Sequence, residues 1–268
     1  MVQSMNDGWL FYKEGDKQKQ SVMLPHDAML HEKRDPKAES GSAGAFFPGG
    51  VFCYERKIML TEDQVQMHLT LEFEGAYKNA EVFVNGQEVY QAAYGYSPSF
   101  VILDGHIKAG ENTILVHVRY QSPNSRWYSG AGIYRSVWLK KVPAIHIASD
   151  GIAVETHLIG NGKWSLCMHT TFEKEGIQQS ATDFFASENN NPSASLSLSF
   201  CVQTLDGTVI LSEVLENTPV TLTNIKPWDI SEPNLYKIVC TLSENGTAIQ
   251  TETITTGFRT TRFDTNEG

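Results

Sequence analysis

The sequence predicts an all-β chain built as two successive β-sandwiches. Three observations carry that reading. Apolar and polar residues alternate at period two, Asn-Gly and Asp-Gly pairs separate the alternating runs, and no segment up to residue 142 keeps helical apolar spacing over three turns. At 268 residues the chain suits two domains of ordinary size. Either half is long enough to bury a core without metal or disulfide staples.

In the first series, His68-Leu-Thr-Leu-Glu-Phe73 places Leu69, Leu71 and Phe73 on one face. Ala80-Glu-Val-Phe-Val84 and Gln87-Glu-Val-Tyr90 flank Asn85-Gly86, a strong hairpin signal because a type I′ turn needs positive φ at both central positions. Thr113 to Tyr120 aligns Ile114, Val116, Val118 and Tyr120, and Tyr134 to Leu139 reads as a further strand. The second series begins after Val142-Pro143. It runs through Ile152 to Leu158, Trp164 to Phe172, Leu196 to Thr204, Thr208 to Val214, Val220 to Ile225, Tyr236 to Leu242 and Ala248 to Thr256. About seven short strands with regular turn signals point to an immunoglobulin-like sandwich. Asp206-Gly207 and Asn245-Gly246 read as its hairpin turns, and Asn245-Gly-Thr247, which matches a glycosylation sequon, is read as a tight turn in preference to an acceptor site. Gln178 to Ser195 is polar and reads as a long mobile loop.

Composition removes several classes of function. Net charge is −10, from 31 acidic and 21 basic residues, with no basic block, so nucleic acid is not an expected partner. No run approaches the ~18 consecutive apolar residues of a membrane helix, so no membrane partner is expected. The first residues show no basic-then-apolar leader. Cys53, Cys167, Cys201 and Cys240 lie far apart without a C-x-x-C pair, which excludes a finger-type zinc site. They read as buried free thiols, with an inter-sheet disulfide as the alternative.

The chemistry-bearing constellations are few. Gly130-Ala-Gly132 is followed by a strand and not by a phosphate-binding helix, no H-E-x-x-H occurs, and Gly95-Tyr-Ser-Pro-Ser99 lacks the second glycine of a nucleophile elbow. His117 falls on the polar face of its strand. No spacing singles out a carboxylate pair; Asp63, Glu88 and Glu111 read as solvated charge. No metal and no cofactor are expected. The most distinctive stretch is Ser122-Pro-Asn-Ser-Arg-Trp-Tyr-Ser-Gly-Ala-Gly-Ile-Tyr-Arg135. Arg126 could donate paired hydrogen bonds, and Trp127 and Tyr128 present flat faces for the C–H side of a sugar. The other reading is structural: the glycines allow an irregular approach and the aromatics close the end of a sandwich.

Ser125-Arg-Trp-Tyr-Ser-Gly-Ala-Gly-Ile-Tyr-Arg135-Ser-Val-Trp138 resembles the segment that closes the N-terminal sugar-binding domain of glycoside hydrolase family 2. Asn6-Asp-Gly-Trp9, Leu24-Pro-His-Asp27, Gly50-Val-Phe-Cys-Tyr-Glu-Arg56, Phe73-Glu-Gly-Ala76, Val84-Asn-Gly86, Gly95-Tyr-Ser-Pro-Ser-Phe100 and Gly110-Glu-Asn112 continue the resemblance in order. Pro227-Trp228, Pro233-Asn-Leu-Tyr236 and Gly257-Phe-Arg259 are similar to the family's immunoglobulin-like domain and its exit. The resemblance covers essentially the whole chain.

It implies a jelly-roll (galactose-binding-like) sandwich over residues 1–142 and an immunoglobulin-like sandwich over 143–258. Residues 259–268 would be a linker to a TIM barrel that carries both catalytic glutamates and is missing here. The chain alone would then be inactive, as the non-catalytic front of a retaining β-glycosidase. Compact motif spacing favours a β-galactosidase over a β-glucuronidase or β-mannosidase. A free-standing carbohydrate-binding module is the alternative, and a structural adhesion-type pair of sandwiches a third. Implied partners are carbohydrate, through the full-length enzyme, and the chain's own barrel, with a homo-oligomer also open. The cytoplasm is the preferred compartment, periplasm or secretion the alternative if a leader was removed. Certain β-galactosidases carry a pocket-rim aspartate just before the glycine turn. Ser125 occupies that column here, or Asn124 if the loop is shifted. The implied substrate-binding rim is Asn124, Ser125, Arg126 and Trp127, while Arg135 and Trp138 read as structural.

Overall fold

The computed structural model of the protein describes residues 2–174, 176–188 and 196–265. The chain divides into two compact units between Val142 and Pro143.

The first unit contains β1 (Val2–Ser4), β2 (Trp9–Lys13), β3 (Gln20–Val22), β4 (Gly50–Leu60) and β5 (His68–Phe73). After them come β6 (Ala80–Val84), β7 (Gln87–Ala92), β8 (Ser99–Ile102), β9 (Gly110–Tyr120) and β10 (Val137–Val142). They form a four-stranded sheet ordered β1-β10-β5-β8 and a six-stranded sheet ordered β3-β2-β4-β9-β6-β7. Neighbouring strands are antiparallel throughout. Neighbours in these sheets are seldom neighbours in sequence, the crossing pattern of a jelly roll.

Alternation does the work of registering the strands, because a slip by one residue would turn every apolar side chain to solvent. Leu69, Leu71 and Phe73 of β5 are buried, as are Ile114, Val116, Val118 and Tyr120 of β9. Together with Phe52 and Tyr54 of β4 and Val137 and Leu139 of β10 they build one core. Each such side chain contributes about 1.5–3 kcal/mol on burial. Asn85 and Gly86 both take positive φ, +52° and +84°, as a type I′ turn demands. Asn112, fully buried, accepts from the Asn85 amide at 2.9 Å and donates to the Lys108 carbonyl at 2.7 Å, so it ties this hairpin to the start of β9.

The expected strand at Tyr134 to Leu139 starts three residues later. Tyr134 leaves the ladder because its hydroxyl donates to the Gly95 carbonyl at 2.8 Å. Trp138 instead donates to Glu74 at 2.8 Å, and Arg135 lies over the Tyr134 ring at 5.6 Å.

The second unit contains β11 (Ile145–Gly160), β12 (Lys163–Lys174), β13 (Ile177–Ser180), α1 (Ala181–Glu188) and β14 (Leu196–Thr204). β15 (Val209–Val214), β16 (Val220–Leu222), β17 (Tyr236–Glu244) and β18 (Thr247–Thr256) complete it. One sheet is ordered β15-β14-β17-β18. In the other, β11 pairs one edge of β12 while β13 and β16 share its opposite edge. Trp164, Leu166, Met168 and Phe172 of β12 meet Phe200, Val202, Ile238, Cys240 and Leu242 in a single core. Two antiparallel sheets of this length over one core make an immunoglobulin-like sandwich.

The stretch expected as a loop from Gln178 onward is strand and helix up to residue 188; residues 189–195 lie outside the described residues. The Ser180 hydroxyl accepts from the Asp183 backbone N–H at 3.1 Å and caps the helix. Phe184 and Phe185 then pack on Phe172, with ring centroids 5.0 and 5.6 Å away. At the turns, Asn245 and Gly246 both take positive φ, whereas Asp206-Gly207 sits in a longer loop where only Gly207 does. All four cysteines are unpaired; Cys53 and Cys240 are buried, Cys167 and Cys201 half-buried.

Candidate functional site

The segment between β9 and β10, residues 121–136, has an anchored base and an open tip. Asp27 forms the anchor. One carboxylate oxygen accepts from the backbone N–H groups of Met29 and Ala131, at 3.0 and 3.1 Å. The other accepts from the Tyr128 hydroxyl at 2.6 Å. With three donors on one carboxylate, Asp27 fixes the loop across a separation of 101 residues. Burial and the facing Asp27 carboxylate push the Tyr128 phenol well above its ordinary pKa, so it remains a donor.

The glycines make this approach feasible. A Cβ on Gly130 would lie 2.9 Å from Asp27 Oδ2, and one on Gly132 would lie 2.3 Å from the Tyr54 hydroxyl and 2.8 Å from the His26 carbonyl oxygen. Gly132 also takes φ +122°, which L side chains rarely adopt. Around it, the His26 backbone N–H donates to the Ile133 carbonyl, and Ala28 donates to Ala131.

The tip holds the four residues that the resemblance singled out. Asn124 is half-buried; its carbonyl oxygen accepts from the Tyr77 hydroxyl at 2.7 Å and its amide reaches Ser129 at 3.4 Å. The Ser125 hydroxyl donates to the Trp127 carbonyl and is spent within the loop. Arg126 is exposed. Trp127 is 62% exposed, with Tyr94 and Tyr96 at 65% and 47%. Tyr96 shares a hydrogen bond with Trp127, packs on Tyr77 at 5.1 Å and meets Tyr94 edge-on at 5.6 Å. Burial and the neighbouring Tyr77 raise the Tyr96 phenol above its usual pKa.

The structure therefore brings Asn124 and Trp127 onto one aromatic cluster and leaves Ser125 internally bonded. Tyr77, Tyr94 and Tyr96 belong to that cluster and were not singled out from sequence. Only the ordered run Gly95-Tyr-Ser-Pro hinted at them. Chemically, the tip offers flat ring faces, hydroxyls and an exposed guanidinium. Both oxygens of Asp27 are committed to holding the base of the loop.

Comparison with known proteins bears on what such a loop serves. Residues 45–143 match the sugar-binding domain of glycosyl hydrolases family 2, and residues 145–259 match a second domain described as glycosyl hydrolases family 2. The chain belongs to glycoside hydrolase family 2. Within that family it is similar to the β-galactosidase BoGH2A of Bacteroides ovatus, 30% identical over 91% of this chain and 29% of that protein. It is 29% identical to a putative β-glucuronidase of Formosa agariphila, over 91% of this chain and 23% of that one. The chain thus spans less than a third of the length of these family 2 relatives. The fold recurs in a family 2 member from Bacteroides cellulosilyticus, with TM-score 0.82 and 24% identity over 100% of this chain and 36% of that one. A β-glycosidase from Bacteroides vulgatus gives 0.83 at 21% identity, over 98% and 34%.

Proposed function

We propose that this chain is the non-catalytic front portion of a retaining β-glycosidase, preferentially a β-galactosidase, whose catalytic barrel belongs to the same parent protein. One observation carries the reading: two family 2 domains follow each other across residues 45–259, yet the alignment takes in 91% of this chain and only 29% of a β-galactosidase. Retaining hydrolysis needs two carboxyl groups about 5–5.5 Å apart. On a barrel they would project from the C-terminal ends of its strands. In this reading Asn124, Ser125, Arg126 and Trp127 form part of the rim of that pocket and meet the sugar there. The unpaired thiols favour a reducing compartment, the cytoplasm.

Turnover of a panel of chromogenic aryl β-glycosides tests the proposal, with this chain and an extended chain assayed side by side. A silent short chain and an active extended one support it, and the preferred sugar names the parent enzyme. Turnover by the short chain alone would overturn it. The exposed Trp127, Tyr94 and Tyr96 favour a second reading, a free-standing carbohydrate-binding module. Calorimetry of the isolated chain with galactose, glucuronate and mannose separates the two, since the module requires binding without any barrel.

A further inference from the structure

The core-facing row of β4 is interrupted by a cation. Phe52, Tyr54, Ile58 and Leu60 are buried along that row, and Arg56 takes the position between Tyr54 and Ile58. On the facing sheet, Val137, Leu139 and Lys141 form the inward row of β10, and Lys141 is only 6% exposed. The two cations line one cavity of about 260 Å³ with Gln3, Met5, Ile58 and Leu139, and Lys57 also reaches its wall. Among the described residues no Asp or Glu lines it. Lys141 donates to the Gln3 side chain at 3.3 Å. Arg56 Nη1 is shut off from water and has no hydrogen-bond acceptor among the described residues. A buried guanidinium N–H without an acceptor is a standing penalty, so such groups are nearly always satisfied.

We propose that this cavity is a binding site for a small oxyanion: free phosphate or sulfate, or the acidic group of a charged sugar. The part of the Arg56 guanidinium that lines the cavity can donate to such a group, Lys141 supplies a second positive centre, and the Gln3 amide offers donors beside it. A cavity of about 260 Å³ is ample for a tetrahedral anion with part of its hydration. Burial lowers the proton affinity of both cations, with the Asp7 carboxylate acting the other way on Arg56. An anion in the cavity would relieve that strain. A chain of net charge −10 repels anions at long range, so retention has to come from this local pair.

The test is isothermal titration of the 268-residue chain with sodium sulfate, sodium phosphate and sodium glucuronate, with sodium chloride at matched ionic strength as the control. The expected result is saturable binding of at least one oxyanion with Kd of about 1 mM or tighter, and none of chloride. Arg56→Gln and Lys141→Gln should each weaken it about tenfold or more. If Arg56→Gln does not fold, the reading rests on Lys141→Gln and on a selenate-soaked crystal. There an anomalous peak within hydrogen-bond distance of Arg56 supports the site. Response to sulfate no greater than to chloride, unchanged affinity in a folded variant, or a selenate peak only elsewhere would each overturn the proposal. Binding of glucuronate but not of sulfate or phosphate would assign the site to an acidic sugar; the reverse would assign it to the inorganic anion.

Discussion

Asp27 and Tyr128 are joined by a 2.6 Å hydrogen bond, although 101 residues separate them in the chain. The same carboxylate holds two backbone N–H groups, those of Met29 and Ala131. Asp27→Asn keeps an oxygen for the backbone donors and turns its amide to the phenol, which can accept. Asp27→Ala leaves the donors without a partner. The expected losses are about 1 kcal/mol or less for Asn and about 2–4 kcal/mol for Ala. Urea unfolding of both variants checks this, and equal losses would show that the hydrogen bonds are not what Asp27 contributes.

Gly132→Ala should be among the most damaging single changes in the first unit. The added methyl would sit 2.3 Å from the Tyr54 hydroxyl in a backbone region that alanine rarely enters. A loss of about 3 kcal/mol or more is expected, read as a lowered Tm or loss of soluble protein. A loss under about 1 kcal/mol would mean that the loop can retreat from β4.

His26 gives the first unit a pH dependence with a definite sign. Burial and the adjacent His31 hold its pKa down to about 4 in the fold, against an ordinary value near 6.5. The unfolded chain takes up the proton first, so the contribution is complete above pH ~6.5 and is lost as pH falls towards ~4. Discounted for the half-exposed ring, it amounts to about 1–2 kcal/mol. The difference in stability between wild type and His26→Gln, measured from pH 7 to 4, should shrink on acidification. A constant difference would remove His26 from the account.

The thiols should divide by burial. Burial pushes Cys53 up to about 11 and Cys240 up to about 12, so both are almost wholly protonated at pH 8. Iodoacetamide at pH 8 should label Cys167 and Cys201 of the folded protein first, and Cys53 and Cys240 only after denaturant is added. Early modification of Cys240, seen by peptide mass mapping, would contradict the packing of the second core.

Trp127→Ala separates recognition from folding. The ring is 62% exposed, so the change should move stability by about 0.5 kcal/mol or less. In the parent enzyme it should raise KM for the preferred aryl glycoside several-fold while circular dichroism and Tm stay put. Unchanged KM would take Trp127 off the sugar's path.

Where alternation was clean, sequence and structure agree: the buried row of β9 reads directly from Ile114, Val116 and Val118. β4, eleven residues long, is far less legible. Its adjacent Val-Phe-Cys-Tyr blurs the period, and Arg56 puts a charge where an apolar residue belongs. The helix at Ala181–Glu188 was hidden for a different reason, since its Phe184-Phe185 pair lies in a polar neighbourhood and its cap is a single serine hydroxyl. Of the loop, the tip could be marked by residue type. Its anchor could not, because nothing at Asp27 reveals that Tyr128 and Ala131 return to it a hundred residues later.

The loop from β9 to β10 is pinned at Asp27, Gly130 and Gly132 and open at Arg126 and Trp127. The two ends therefore answer to different demands. A substitution at the pinned end is judged by whether the polypeptide survives, one at the open end only by what it meets. Such an arrangement lets one scaffold explore new ligands by drift at a few surface positions, without renegotiating its own assembly each time.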